Sequence, residues 1–142
     1  MKNRVLVMVL FTVCLMNVLS FADPSVNGSA TSNSNNIDIN ILALSFYDGM
    51  APNNKYVNLF YNNQKEGVYL QPGQSYVKLD NLNGPKSAVM YWNGNCASFF
   101  AYDPRADGSH QKIFWLMKED GVYRSYDNKS WQKIKSWTFN HC

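Results

Sequence analysis

The stretch WLMKEDGVYR, Trp115 to Arg124, decides how the chain folds. Glu119 and Asp120 stand side by side, as two acids in a catalytic or metal site would. The same residues also describe one strand turning back into another. Side chains of an extended strand alternate between its two faces. Reading from KIFWLM onward, Ile113, Trp115 and Met117 share one face, and Phe114, Leu116 and Lys118 the other. Glu119-Asp120-Gly121 has the polar residues and glycine of a hairpin corner, and Val122-Tyr123 resumes a strand. Adjacent carboxylates on such a corner point in different directions, a poor geometry for acid–base work. The stretch reads as a hairpin.

The same period of two recurs on either side. In KYVNLFY, Val57, Leu59 and Tyr61 share a face; in YVKLDNL, Val77, Leu79 and Asn81 alternate with Tyr76, Lys78 and Asp80. SAVMYW, CASFFAY, GVYRSY and SWQKIKSW are further short runs rich in β-branched and aromatic residues. Turn pairs separate them, among them Asp48-Gly49, Pro72-Gly73, Asn93-Gly94 and Asp107-Gly108. No amphipathic helical stretch of useful length competes. This spacing predicts an all-β fold, a small antiparallel β-sandwich of about eight short strands over residues 41–142. Trp92, Trp115, Trp131 and Trp137 are expected to supply its core, since each such ring can bury roughly 150–250 Å².

Upstream the chain changes character. Lys2 and Arg4 precede a mostly apolar run from Val5 to Phe21, and Ser20-Phe21-Ala22 gives the small residues of a cleavage site. A membrane span needs about 20 predominantly apolar residues; this run is shorter and holds Asn17. Residues 1–22 are therefore expected to be a signal peptide, leaving a chain that begins at Asp23 in an oxidising, extracellular compartment. Residues 23–40, including PSVNGSATSNSNN, lack the apolar content to offset the entropy of ordering and are expected to be a flexible linker.

Processing also alters charge and cysteine content. The formal charge of the whole chain is +3; loss of Lys2 and Arg4 leaves 11 basic and 10 acidic residues. Lys112, Lys118, Arg124, Lys129, Lys133 and Lys135 are interspersed with Glu119, Asp120 and Asp127, so no net positive face favours nucleic acid. Cys14 leaves with the signal, and the even remainder, Cys96 and Cys142, predicts one disulfide. The histidines, His110 and His141, form no metal-ligand spacing with them, so no metal or cofactor is expected. Sequons at Asn27-Gly28-Ser29 and Asn128-Lys129-Ser130 make Asn27 and Asn128 candidates for N-glycosylation.

The enzymatic reading is thin. YDPRADG offers Asp103 and Asp107, and glycosidases use two carboxylates. Pro104 and Gly108 instead mark a turn, the oxygen-rich rhythm of a calcium loop is absent, and no nucleophile motif occurs. Catalysis is not expected. An alternative is a secreted carbohydrate-binding sandwich in which an exposed Tyr123 or Tyr126 stacks on sugar.

Several of these runs also carry a resemblance. Trp92-Asn93-Gly94, Ser98-Phe99 with Tyr102-Asp103, Trp115 with Glu119-Asp120-Gly121 and Tyr123, and Trp131 with Trp137 follow in a distinctive order and spacing. In these the chain resembles the plant self-incompatibility S1 family, the S-protein homologues, from Ile41 to Trp137; VYLQPGQSYVKL looks like its strand, Pro-Gly turn and strand. The resemblance implies a secreted protein ligand in cell–cell signalling, of the pollen–pistil recognition type or with another receptor. Its partner would be a cell-surface receptor or other extracellular protein, with membrane contact only through that receptor. On a rigid sandwich, recognition would fall to loops: Asn62, Asn63, Gln64, Lys65 and Glu66 in one, Asp103, Arg105 and Asp107 in another. The family's four framework cysteines match Tyr61, Ala88, His110 and Ile113 here, so the core must do their work.

Overall fold

The hairpin at Glu119-Asp120 exists, and two sheets are built around it. The structure, a computed structural model, describes residues 40–142; the expected signal peptide, all but the last residue of the expected linker, and Asn27 lie outside the described residues. Ten strands run in order: β1 (Leu42–Asp48), β2 (Val57–Tyr61), β3 (Val68–Leu70), β4 (Ser75–Asp80), β5 (Lys86–Trp92) and β6 (Asn95–Tyr102). After a single helical turn, α1 (Pro104–Asp107), come β7 (Lys112–Lys118), β8 (Gly121–Ser125), β9 (Gln132–Lys135) and β10 (Thr138–Phe139). Sheet 1 has the order β4-β1-β7-β8-β9, and sheet 2 the order β10-β6-β5-β2-β3. The fold is an all-β sandwich. Every pairing is antiparallel except β1 with β7, which is parallel and puts Phe46 opposite Trp115.

Trp115 is the wedge between the sheets. It is fully buried on β7 of sheet 1, yet its indole N–H donates to the Ala101 carbonyl of β6 at 3.2 Å. Its ring lies against Phe99 of β6, with centroids 4.5 Å apart. Leu42, Leu44 and Phe46 of β1, Ile113 and Met117 of β7, Val57, Leu59 and Tyr61 of β2, and Met90 of β5 complete the core. The alternation read in KIFWLM and KYVNLFY is the one the structure shows. Gly121 is required at the corner, because a Cβ there would strike the Lys135 carbonyl of β9.

Ten strands with one parallel pairing stand where about eight antiparallel strands were expected, and two side-chain placements also differ from the sequence reading. Trp92 and Trp137 pack against the core, but Trp131 does not join it; it lines a groove on the outer surface of sheet 1. On β4 the more apolar side chains face outward, with Val77 55% and Leu79 66% exposed. The reason is that β4 is an edge strand whose inward row caps the rim of the core with amphipathic side chains. Tyr76 stacks with Phe46, Lys78 lies over the Tyr61 ring, and Asp80 accepts a 2.7 Å bond from the Tyr61 hydroxyl. Burial, and then that bond to Asp80, pushes the Tyr61 hydroxyl's pKa far above its ordinary value.

Removing the wedge should be costly. Trp115→Ala is expected to lose about 3–5 kcal/mol in a denaturant titration, the range for deleting a core aromatic. Glu119→Ala, which removes an exposed bond from Asn54, should stay within about 0.5 kcal/mol.

Candidate functional site

The outer face of sheet 2 carries the exposed aromatics. Strand register aligns Tyr69, Asn58, Tyr91, Cys96 and Thr138 across β3, β2, β5, β6 and β10. Along β5 and β6 the same face continues through Val89 and Ser98 to Ser87 and Phe100. Tyr69, Tyr91 and Phe100 are 60%, 47% and 57% exposed, and Tyr56 beside β2 is 46% exposed. Tyr56 meets Tyr69 edge to face, and Tyr91 meets Phe60 the same way.

One end of this face is the loop end. Asn62, Asn63, Gln64, Lys65 and Glu66, between β2 and β3, are all exposed. Asn62 and Asn63 turn the chain at φ of 47° and 60°, a left-handed conformation asparagine tolerates better than most residues. The Asn62 N–H is tied to the Ser87 carbonyl at 2.8 Å. Asp103 and Arg105 follow β6, with only the start of β5 between them and the first loop in strand order. Two strand spacings, roughly 10 Å, therefore separate the two loops. Pro85, Phe100, Asp103, Pro104 and Arg105 line a hollow of about 310 Å³ beside the second loop.

Asp107, expected as a partner-binding residue, is not presented to solvent. Its carboxylate is fully buried and accepts from Arg124 at 2.6 Å, the Tyr126 hydroxyl at 2.7 Å and the Asp103 N–H at 2.6 Å. It ties α1 to β8 because a buried charge must be paired and hydrogen-bonded. His110 stacks on Tyr126 with centroids 4.0 Å apart, and the Arg124 guanidinium lies over the Tyr126 ring at 5.1 Å. Burial, then the bond to Asp107, pushes the Tyr126 hydroxyl up to about 12. Tyr126 is thus committed to the scaffold. Tyr123 is also engaged: its hydroxyl donates to Asp120, and Lys118 lies over its ring at 5.0 Å. Among the described residues no three His, Cys, Asp or Glu side chains cluster as metal ligands would.

The opposite end of the sheet 2 face is closed by the chain terminus. Cys96 and Cys142 are joined by a disulfide, with Cα atoms 5.8 Å apart. The tail they anchor walls a trough of about 620 Å³ floored by Asn58, Tyr91 and Cys96, with Lys55 and Tyr56 along its lining. Sequence reasoning missed this trough; Tyr91 follows Met90 in an apolar run, and only strand register shows it facing outward.

Asn128 sits in a turn held by Asp127, whose carboxylate accepts from the N–H groups of Ser130 and Lys129 and from the hydroxyls of Ser125 and Ser130. Those bonds, the Ser130 N–H foremost, hold the Asp127 carboxyl far below the usual carboxylate range. Asn128 is exposed and, with Trp131, Phe114, Leu116, Tyr47 and Val77, lines the sheet 1 groove.

Among the described residues, a ten-stranded, two-sheet sandwich with a disulfide-tied tail and one helical turn defines the class of this protein. Among solved structures it matches one described as "Structure of SPH (Self-Incompatibility Protein Homologue) proteins, a widespread family of small, highly stable, secreted proteins from plants". The TM-score is 0.57 at 12% identity, over 68% of this chain and 94% of that one. The chain has the fold of the S-protein homologues, as its motif order implies. Neither a protein-family model nor a curated protein matches it by sequence.

The burial of Asp107 gives a direct test. Asp107→Ala leaves Arg124 without its partner and should cost about 3–5 kcal/mol, as breaking a buried pair does. Arg105→Ala, two residues away and exposed, should change stability by less than about 0.5 kcal/mol. Equal effects in urea titrations would place Asp107 at the surface.

Proposed function

We propose that this chain is a secreted extracellular ligand of the S-protein homologue type, recognised by a cell-surface receptor through the loop end of sheet 2. The observation that carries this reading is the pairing of two exposed loops on one rigid end. Asn62–Glu66 and Arg105 are exposed at neighbouring strand ends, and Asp103, half-buried, accepts the Arg105 N–H at 3.0 Å to fix the second loop. Such loops can vary without unfolding the scaffold, the condition for a family of distinct ligands on one fold. The matched structure's description as a secreted plant protein, and the disulfide here, support export. In this reading the protein works by binding, without catalysis, cofactor or metal. Asn128, exposed in a fixed turn, is its N-glycosylation site among the described residues.

The test pairs stability with binding. Alanine replacement of Gln64, Lys65 and Glu66, or Arg105→Ala, should abolish binding to a plant membrane preparation while stability moves by less than about 0.5 kcal/mol per residue. The secreted product should begin at Asp23 on N-terminal sequencing. Loop variants that bind like the parent would sink the receptor reading, and retention of Met1 in a membrane fraction would sink secretion.

A further inference from the structure

We infer that the trough at the tail end of sheet 2 is a binding site for a neutral oligosaccharide. This goes beyond the receptor reading and lies at the opposite end of the sheet from the loops that carry it. At about 620 Å³ the trough falls within the roughly 300–1,000 Å³ range of small-ligand sites.

Its lining has the composition a sugar needs. Tyr56 and Tyr91 offer half-exposed ring faces, on which the apolar C–H face of a pyranose can lie. Around them stand the amide-bearing residues Asn58, Asn93 and Asn140. An amide presents both donors and acceptors, so it can pair with a hydroxyl in either sense. Among the described residues no group bonds the amides of Asn58, Asn93 or Asn140; the Asn95 amide donates to the Asn93 carbonyl at 3.3 Å. Hydroxyl groups brought to this wall would draw on the unused capacity of those amides.

Charge narrows the ligand class. Lys55 is the one charged side chain that lines the trough. An anionic chain would meet a single cationic side chain, whereas anion sites gather several. Neutral hydroxyls are complementary to aromatic faces and amides; phosphate or uronate is not. The shape is also fixed in advance. Asn93 and Gly94 form the β5–β6 turn with φ of 49° and 79°, and Asn140 turns the tail at φ 54°. The Asn140 N–H reaches back to the Gly94 carbonyl at 3.3 Å, and the disulfide holds the tail against β6. A preformed wall spares a ligand the cost of ordering it.

The experiment is a titration of the ¹⁵N-labelled, disulfide-intact protein, residues 23–142, with four neutral hexasaccharides (β-1,4-glucan, β-1,4-mannan, β-1,4-xylan and chitin) and with an oligogalacturonide as the charged comparison. At least one neutral probe is expected to shift the side-chain amide signals of Asn58, Asn93 and Asn140 in a saturable manner. Tyr91→Ala and Tyr56→Ala should each raise its Kd at least tenfold with an unchanged melting temperature, because both rings are half exposed. Alanine replacement of Asn62–Glu66 should leave that Kd unchanged, which separates this site from the receptor-binding loops. Absence of saturable shifts with every neutral probe at 10 mM would overturn the inference. So would preference for the oligogalacturonide, or binding that survives both tyrosine changes.

Discussion

Trp115 closes the two sheets on each other, and the rest of the arrangement follows from that closure. Its ring fills the space between β7 and β6, and its N–H is satisfied by a carbonyl of the facing sheet rather than by water. A buried indole would otherwise forfeit that bond, at a cost of about 1–3 kcal/mol. The contact therefore fixes spacing and register between sheets together. Parallel pairing of β1 with β7 sets Phe46 opposite Trp115 and brings the aliphatic row of β1 into the same layer. With the interior occupied in this way, recognition is left to the outer faces and the strand ends.

Packing also stands where the resembling family has its framework cysteines. Tyr61 and Ala88 are register partners on β2 and β5, both buried, so a cross-strand contact occupies a position suited to a cross-strand bond. Ile113 is fully buried in the core, and His110 stacks on Tyr126 beside the Asp107–Arg124 pair. The disulfide this chain does have serves a different place: it pins the last residue to β6 and shapes the trough. A loop of 46 residues contributes roughly 4 kcal/mol in the chain-entropy model. Domains of this kind are commonly stable by about 5–15 kcal/mol, so the core can persist without it.

Much of the fold was legible because period-two patterning and turn chemistry are local. The β7–β8 hairpin, the inward row of β2 and the cysteine pair could all be read from neighbours or from a count. What failed was non-local. Hairpin turns say nothing of a parallel pairing between strands 69 residues apart in the chain, such as Ala43 with Lys112. The outward turn of Val77 and Leu79 depends on Lys78 and Asp80 finding Tyr61 on the other sheet. Asp107 looked like a loop acid because Arg124 and Tyr126 lie 17 and 19 residues away. The exposure of Asn62–Glu66 follows from its polar residues, whereas the aromatic row through Tyr69, Asn58 and Tyr91 exists only once three strands are aligned.

The most direct test of a fold held by its core is the ¹H–¹⁵N correlation spectrum before and after reduction of the disulfide. The Trp115 indole N–H, bonded across the sheets, is the reporter. A Trp115-centred core predicts that this signal and the amides of β1 and β7 keep their positions, with changes confined to Asn93–Cys96 and residues 138–142. Loss of the Trp115 signal together with collapse of the strand amides to unfolded positions would contradict it.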